Sequence, residues 1–187
     1  AAQAAVDRKI RQAADATAAA VRRSIETTAS LAHVKDAATM FQILTAVTAT
    51  VKGLLPGGIL IVPGGTQEGA VFYLLHCAAH DRYNLAVVSL GPGLRYHPVR
   101  LDSATAAPQY NSPLFLSGVE ASRVRDASFW FMLLRASIAA DAASVPLVYE
   151  QLLPALNRRP LAANLPGGRA ELPAPAGGGA TGAAGAA

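Results

Sequence analysis

The sequence predicts an α+β domain in which an antiparallel β-meander of three to five strands is covered by helices, with an amphipathic helix ahead of it and a disordered tail behind it. Three observations carry this expectation. Apolar residues recur at helical spacing near the N-terminus and again beyond residue 126. Between those regions lie short β-branched runs joined by only a few residues, and such short connections favour antiparallel pairing because a parallel crossover needs a dozen residues or more. From residue 165 onward Gly, Ala and Pro dominate with almost no large apolar side chain, a composition that cannot offset the entropy of ordering. The organisation expected is therefore a helical arm over 1–35, an α+β body over 36–164 and a tail over 165–187.

In the arm, Val6, Ile10, Ala14, Ala18, Val21 and Ile25 fall three or four residues apart and form one helical stripe, with Arg8, Arg11, Arg22 and Arg23 largely outside it. The stripe is rich in Ala and buries little area per turn, which suits a docking arm or a linker helix from a larger protein. Asp36 is a good N-cap for a second helix that would present Phe41, Leu44, Val47 and Val51 on one side. Leu54, Leu55, Pro56, Gly57 and Gly58 end it.

The period then changes. Residues 59–62 are a β-branched strand, 63–69 supply turn chemistry, 70–77 form a second strand and 83–90 a third, closed by Gly91, Pro92 and Gly93. Runs apolar on both faces imply a sheet covered on both. Residues 96–101 are expected to extend the sheet, 102–112 to be a loop and 113–116 to add an edge strand, where Pro113 is tolerated. Asp126 caps a helix containing Phe129, Trp130, Leu133, Leu134 and Ile138, the main cover of the sheet and core residues rather than a stacking platform. Ser144 caps a last helix, with a kink at Pro154.

Composition excludes several function classes. The chain has 187 residues, of which 52% are hydrophobic and 15% charged, so a highly charged disordered chain is excluded. Its 16 Lys and Arg exceed its 12 Asp and Glu, but the arm carries six bases against three acids while the body carries nine against eight. The visible surplus thus lies in the arm, and a nucleic-acid partner, which requires bases gathered on one face, is not expected. The single cysteine, Cys77, excludes an internal disulfide and a multi-thiolate metal site, and fits a cytoplasmic, reducing compartment. The most apolar stretch, 44–62, is interrupted by Lys52, Pro56, Gly57 and Gly58 and falls short of the ~20 residues of a membrane span. A start at Ala1 rather than Met suggests a piece of a larger protein.

Few residues offer chemistry. His76, Cys77 and His80 have transition-metal side chains, yet in a strand His76 and His80 share one face while Cys77 points to the other, so no metal is expected. Gly64, Gly65 and Gly69 lack the Lys-Ser or Lys-Thr of a phosphate loop and read as turn glycines, and no cofactor is expected. His97 would serve as a general base given a nucleophile and a carboxylate, but only Asp102 is close in sequence, so a structural or substrate-facing role is the better reading.

Taken in order, P-G-G at 63–65, G-A-V-F-Y at 69–73, S-L-G-P-G at 89–93 with Y-H-P at 96–98, and L-V-Y-E-Q-L-L-P-A-L-N-R-R-P-L at 147–161 resemble a segment of very large multidomain algal and protist proteins. That segment in turn resembles the His/Asn half of a papain-like cysteine peptidase of the deubiquitinating type. The resemblance spans roughly residues 55–161. In that pattern a strand His takes the proton of a Cys thiol at a helix N-terminus and an Asn on the next strand orients the His. The His position corresponds here to Ala70 and the Asn position to Ser89, and neither can do that work. What the resemblance implies is a non-catalytic module that binds a protein, of ubiquitin-like kind, through the old cleft, with Ala70 and Ser89 facing a shallow groove beside Gly69, Gly91, Gly93, Tyr96 and His97. Two other readings stand beside it: a working cysteine hydrolase using Cys77 with His76, His80 or His97, and a helical scaffold fragment whose arm docks on a partner.

Overall fold

The computed structural model describes residues 2–164, apart from residues 35, 67, 68, 106, 140 and 142. The tail expected over 165–187 lies outside the described residues. The architecture is α+β. Helices α1 (Ala2–Leu31) and α2 (Ala37–Gly53) precede three strands, β1 (Ile59–Thr66), β2 (Gly69–Ala79) and β3 (Arg82–Ser89). A 3₁₀ turn (Pro92–Tyr96), a small hairpin of β4 (Val99–Leu101) and β5 (Pro108–Tyr110), and strand β6 (Pro113–Glu120) follow. The chain then forms α3 (Ala121–Val124), α4 (Ala127–Ala139), α5 (Ser144–Pro146), a π-helical stretch (Leu147–Leu152) and α6 (Leu153–Asn157), ending on a 3₁₀ turn over Leu161–Asn164.

The main sheet has the order β1-β2-β3-β6, antiparallel throughout. Its inner face sets Val62, Tyr73 and Val87 across from one another, with Leu114 beyond, and Leu60, Leu75, Leu85 and Leu116 form the neighbouring row. All of these are nearly or fully buried. The helices α2 and α4 pack on each other and against β1 over this face. Asp36 caps α2 as expected, its carboxylate accepting from the Thr39 amide at 2.7 Å. The buried side of α2 is Met40, Ile43, Val47 and Val51, whereas Phe41 is 68% exposed, because it sits about 100° round the helix from Met40. Trp130 anchors α4, fully enclosed and donating its indole N–H to the Val124 carbonyl at 2.7 Å.

Several expectations need correction. β1 runs through Pro63, Gly64 and Gly65 instead of turning there, which costs no central ladder bond because β1 is the edge of the sheet. Residues 99–101 do not extend the main sheet, and 102–112 are not merely a loop: Val99 pairs with Tyr110 and Leu101 with Pro108 in a separate two-stranded sheet. Asp102 closes that hairpin by accepting from the Ala104 and Thr105 amides and from the Gln109 side chain, and those backbone hydrogen bonds hold its carboxyl below the usual range. β6 is longer than expected. Near Pro154 the chain widens into the π-helical stretch rather than simply kinking. A proline nitrogen cannot donate back one helical turn, and Leu153 donates instead to Val148, five residues back.

The outer face of the sheet is covered only in part, contrary to the expectation of cover on both sides. Helix α1 lies along β1, held by Ala20 and Ser24, whose small side chains allow close approach, and by the Arg23 guanidinium bonding to the Ile59 carbonyl at 3.4 Å. The stripe expected to dock is rotated away from this contact, with Val6, Ile10, Val21 and Ile25 all 43% exposed or more. Beyond α1 the outer face remains open, and Phe115 is 59% exposed.

Candidate functional site

Alternation along the strands decides what the expected site residues can do. The register pairs Val71 with Ser89 and Gly65 with Ala70. Ala70 and Ser89 therefore sit on neighbouring strands, joined through the Leu90 amide and the Ala70 carbonyl at 3.2 Å, but their side chains leave opposite faces of the sheet. Ala70 is on the outer face and exposed; Ser89 is on the inner face and wholly buried. The expectation that both face one groove is corrected by this one-residue offset, since a shift of one position moves a side chain to the other face.

Cys77, His76 and His80 are likewise kept apart. Cys77 is fully buried on the inner face, at a bulge where its thiol meets the Ala79 carbonyl at 3.2 Å. His76 points outward beside Asn84, and His80 lies in the turn between β2 and β3. Among the described residues no imidazole bonds the thiol, and no three His, Cys, Asp or Glu side chains gather at metal-binding distance.

The structure does bring Ser89, Gly91, Gly93, Tyr96 and His97 together, around a residue that the sequence did not single out as a partner. Tyr149, on the π-helical stretch, stacks on Tyr96 with ring centroids 4.8 Å apart. Its hydroxyl lies 2.9 Å from Nε2 of His97, and Nδ1 of His97 lies 3.2 Å from the Asn111 carbonyl. A carbonyl only accepts, so Nδ1 carries the proton, and Nε2 must accept from the Tyr149 hydroxyl. The Ser89 hydroxyl accepts from the Gly91 amide at 3.3 Å. The polarity thus runs in one direction, from the Tyr149 hydroxyl to His97 and on to the Asn111 carbonyl. Tyr96 continues the cluster outward, donating to Glu150 and accepting from Arg95 at 3.0 Å.

This cluster is sealed: Ser89, His97 and Tyr149 are each 2% exposed or less. Gly93 is part of the seal, since a Cβ there would lie 2.5 Å from the Tyr149 hydroxyl oxygen. At the neighbouring strand ends a Cβ on Gly69 would lie 2.9 Å from the Gly91 Cα, so those two glycines let the backbones touch. The network fixes the 3₁₀ turn and the hairpin base to the C-terminal helices. Burial pushes the Tyr149 hydroxyl up to about 12 and lowers His97 from its ordinary 6.5.

The lowered His97 value has a stability consequence with a definite sign. The unfolded chain binds this proton more tightly, so the stabilisation is complete above about pH 6.5 and is lost as pH falls from there toward the folded value. Urea titrations at successive pH values should show unfolding free energy falling over that window, and His97→Gln should lack that component of the slope.

An accessible groove lies elsewhere. Between α1 and the outer face of the sheet lies an open groove of about 760 Å³, floored by Ala70, Phe72, Leu74 and Val88 and walled by Val21 and Ile25. Its surface is almost entirely apolar. The sequence signalled the floor through apolar residues on both strand faces, but not that α1 would leave it open. Compared with protein-family models, with curated proteins and with solved structures, the chain matches none. Among the described residues no helix is long and apolar enough to cross a membrane.

Proposed function

We propose that this chain is a non-catalytic protein-interaction module that holds an apolar surface of a ubiquitin-like partner in the groove between α1 and the outer sheet face. The observation that carries this reading is the groove itself: a sheet floor and a helical wall whose large apolar side chains are left in water, the kind of contiguous exposed patch that marks an interaction site. The papain-like likeness adds the position of Ala70, which lies on the floor where that pattern places its proton acceptor and offers only a methyl group. Nothing favours the hydrolase alternative, because Cys77 is enclosed on the opposite face from the groove.

Titration of the isotope-labelled protein with ubiquitin tests the proposal. The amides of Phe72, Leu74, Val88, Val21 and Ile25 are expected to shift on binding. Phe72→Asp, a change at a side chain already 36% exposed, is expected to weaken affinity at least tenfold without unfolding the sheet. Shifts that map to another face, or no saturable binding, would refute this role.

A further inference from the structure

A second site stands on independent observations, at the opposite end of the β3-β6 pair from the buried tyrosine cluster. A cleft of about 310 Å³ is lined by Arg82 at the start of β3, Arg123 on α3, and Arg158 and Arg159 just after α6. Glu120 is the one carboxylate that lines it. Four arginines therefore stand against Glu120 and, at the edge, the Asp81 that pairs with Arg82, a local excess of two positive charges in a body whose overall balance is close to neutral. A helix C-terminus favours nearby cations, which accounts for an arginine after α6 but not for convergence from three separate elements.

The partners of these arginines are few. The Arg158 and Arg159 side chains make no hydrogen bond or ion pair with any described residue. Arg82 has only a distant pairing with Asp81, at 3.9 Å and with both side chains well exposed. Arg123 bonds the Ala155 carbonyl through one terminal nitrogen. Its Nε is withdrawn from water without a hydrogen-bond acceptor, because the Glu120 carboxylate stands at 3.7 Å, within ion-pair range and beyond a hydrogen bond. The backbone adds a further sign. Arg158 adopts φ 53°, the left-handed conformation at a helix end where Gly is the unstrained choice. That conformation turns the chain at the end of α6 and brings both Arg158 and Arg159 to the cleft.

We infer that this cleft binds a phosphate-type oxyanion, either the free ion or a phosphoryl group carried on a peptide. Planar guanidinium forks match such oxygens in pairs, and a doubly charged anion answers the surplus better than a single carboxylate would. The volume lies at the lower limit of small-molecule sites.

Calorimetric titration at constant ionic strength tests this with inorganic phosphate, a phosphoserine peptide and the same peptide unphosphorylated. The phosphorylated peptide is expected to bind at least tenfold more tightly than its unmodified twin, or inorganic phosphate to bind alone; the first result makes the source a modified partner segment and the second a free anion. Arg158→Gln with Arg159→Gln is expected to weaken binding at least tenfold, while Arg8→Gln with Arg11→Gln on α1, an equal change in net charge, should weaken it less than twofold. Arg158→Gly separates binding from folding: it relieves the left-handed strain, so the protein should melt no lower while still losing affinity. Equal losses in both double variants, no preference for the phosphorylated probe, or no binding at all would overturn the inference.

Discussion

Tyr149→Ala is expected to lower the unfolding free energy by about 3–5 kcal/mol, the range for removing a large enclosed aromatic side chain. Two effects combine at this position. The ring is stacked on Tyr96 and pressed against Gly93, so its loss opens a cavity there. The hydroxyl donates to His97, so its loss leaves a buried imidazole nitrogen without a donor. Tyr149→Phe isolates the second effect and should cost about 1–3 kcal/mol, the desolvation penalty of an abandoned polar partner. Chemical denaturation of the two variants beside the wild type separates the contributions. A neutral Tyr149→Phe would mean that the directional hydrogen-bond chain contributes nothing to stability.

Trp130→Ala should be of similar size, about 3–5 kcal/mol, by a different route. Trp130 is 1% exposed, meets Phe129 edge to face at 5.1 Å and donates to the Val124 carbonyl. It couples α4 to the short α3 helix that follows β6, so the expected loss is cooperative across the sheet cover. For a domain of this size the melting temperature should fall on the order of 10 °C. Trp130→Phe keeps most of the packing and should recover more than half of that fall. Should Trp130→Ala melt within a few degrees of wild type, α4 would not be the principal cover of the inner face.

Much of the fold was readable along the chain. The short apolar and β-branched runs over 59–62, 70–77 and 83–90 became β1, β2 and β3, and the short connection at His80 and Asp81 enforces the antiparallel order of β2 and β3. Asp36 and Asp126 both proved to be caps, the latter accepting from the Ser128 amide at 2.8 Å. The reading was poorest where a local signal met a tertiary circumstance. Pro63 and the two glycines after it say "turn" in isolation, yet at a sheet edge the missing N–H costs nothing and β1 continues. Arg158 has no sequence signature for left-handed backbone, and only the packing after α6 shows it.

The candidate sites divide along the same line. Residue types are local, and so the absence of an imidazole at position 70 and of an amide at position 89 was plain from the letters alone, as was the lack of a second thiol. Facing and proximity are not local. That Ala70 and Ser89 leave opposite sides of the sheet follows from a register set by pairing between strands. His97 finds Tyr149 52 positions away, and four arginines from three elements meet in one cleft. Alternation in a strand has a period of two, so each identity along β2 and β3 was known in advance while its side of the sheet waited on how β1, β3 and β6 closed around it.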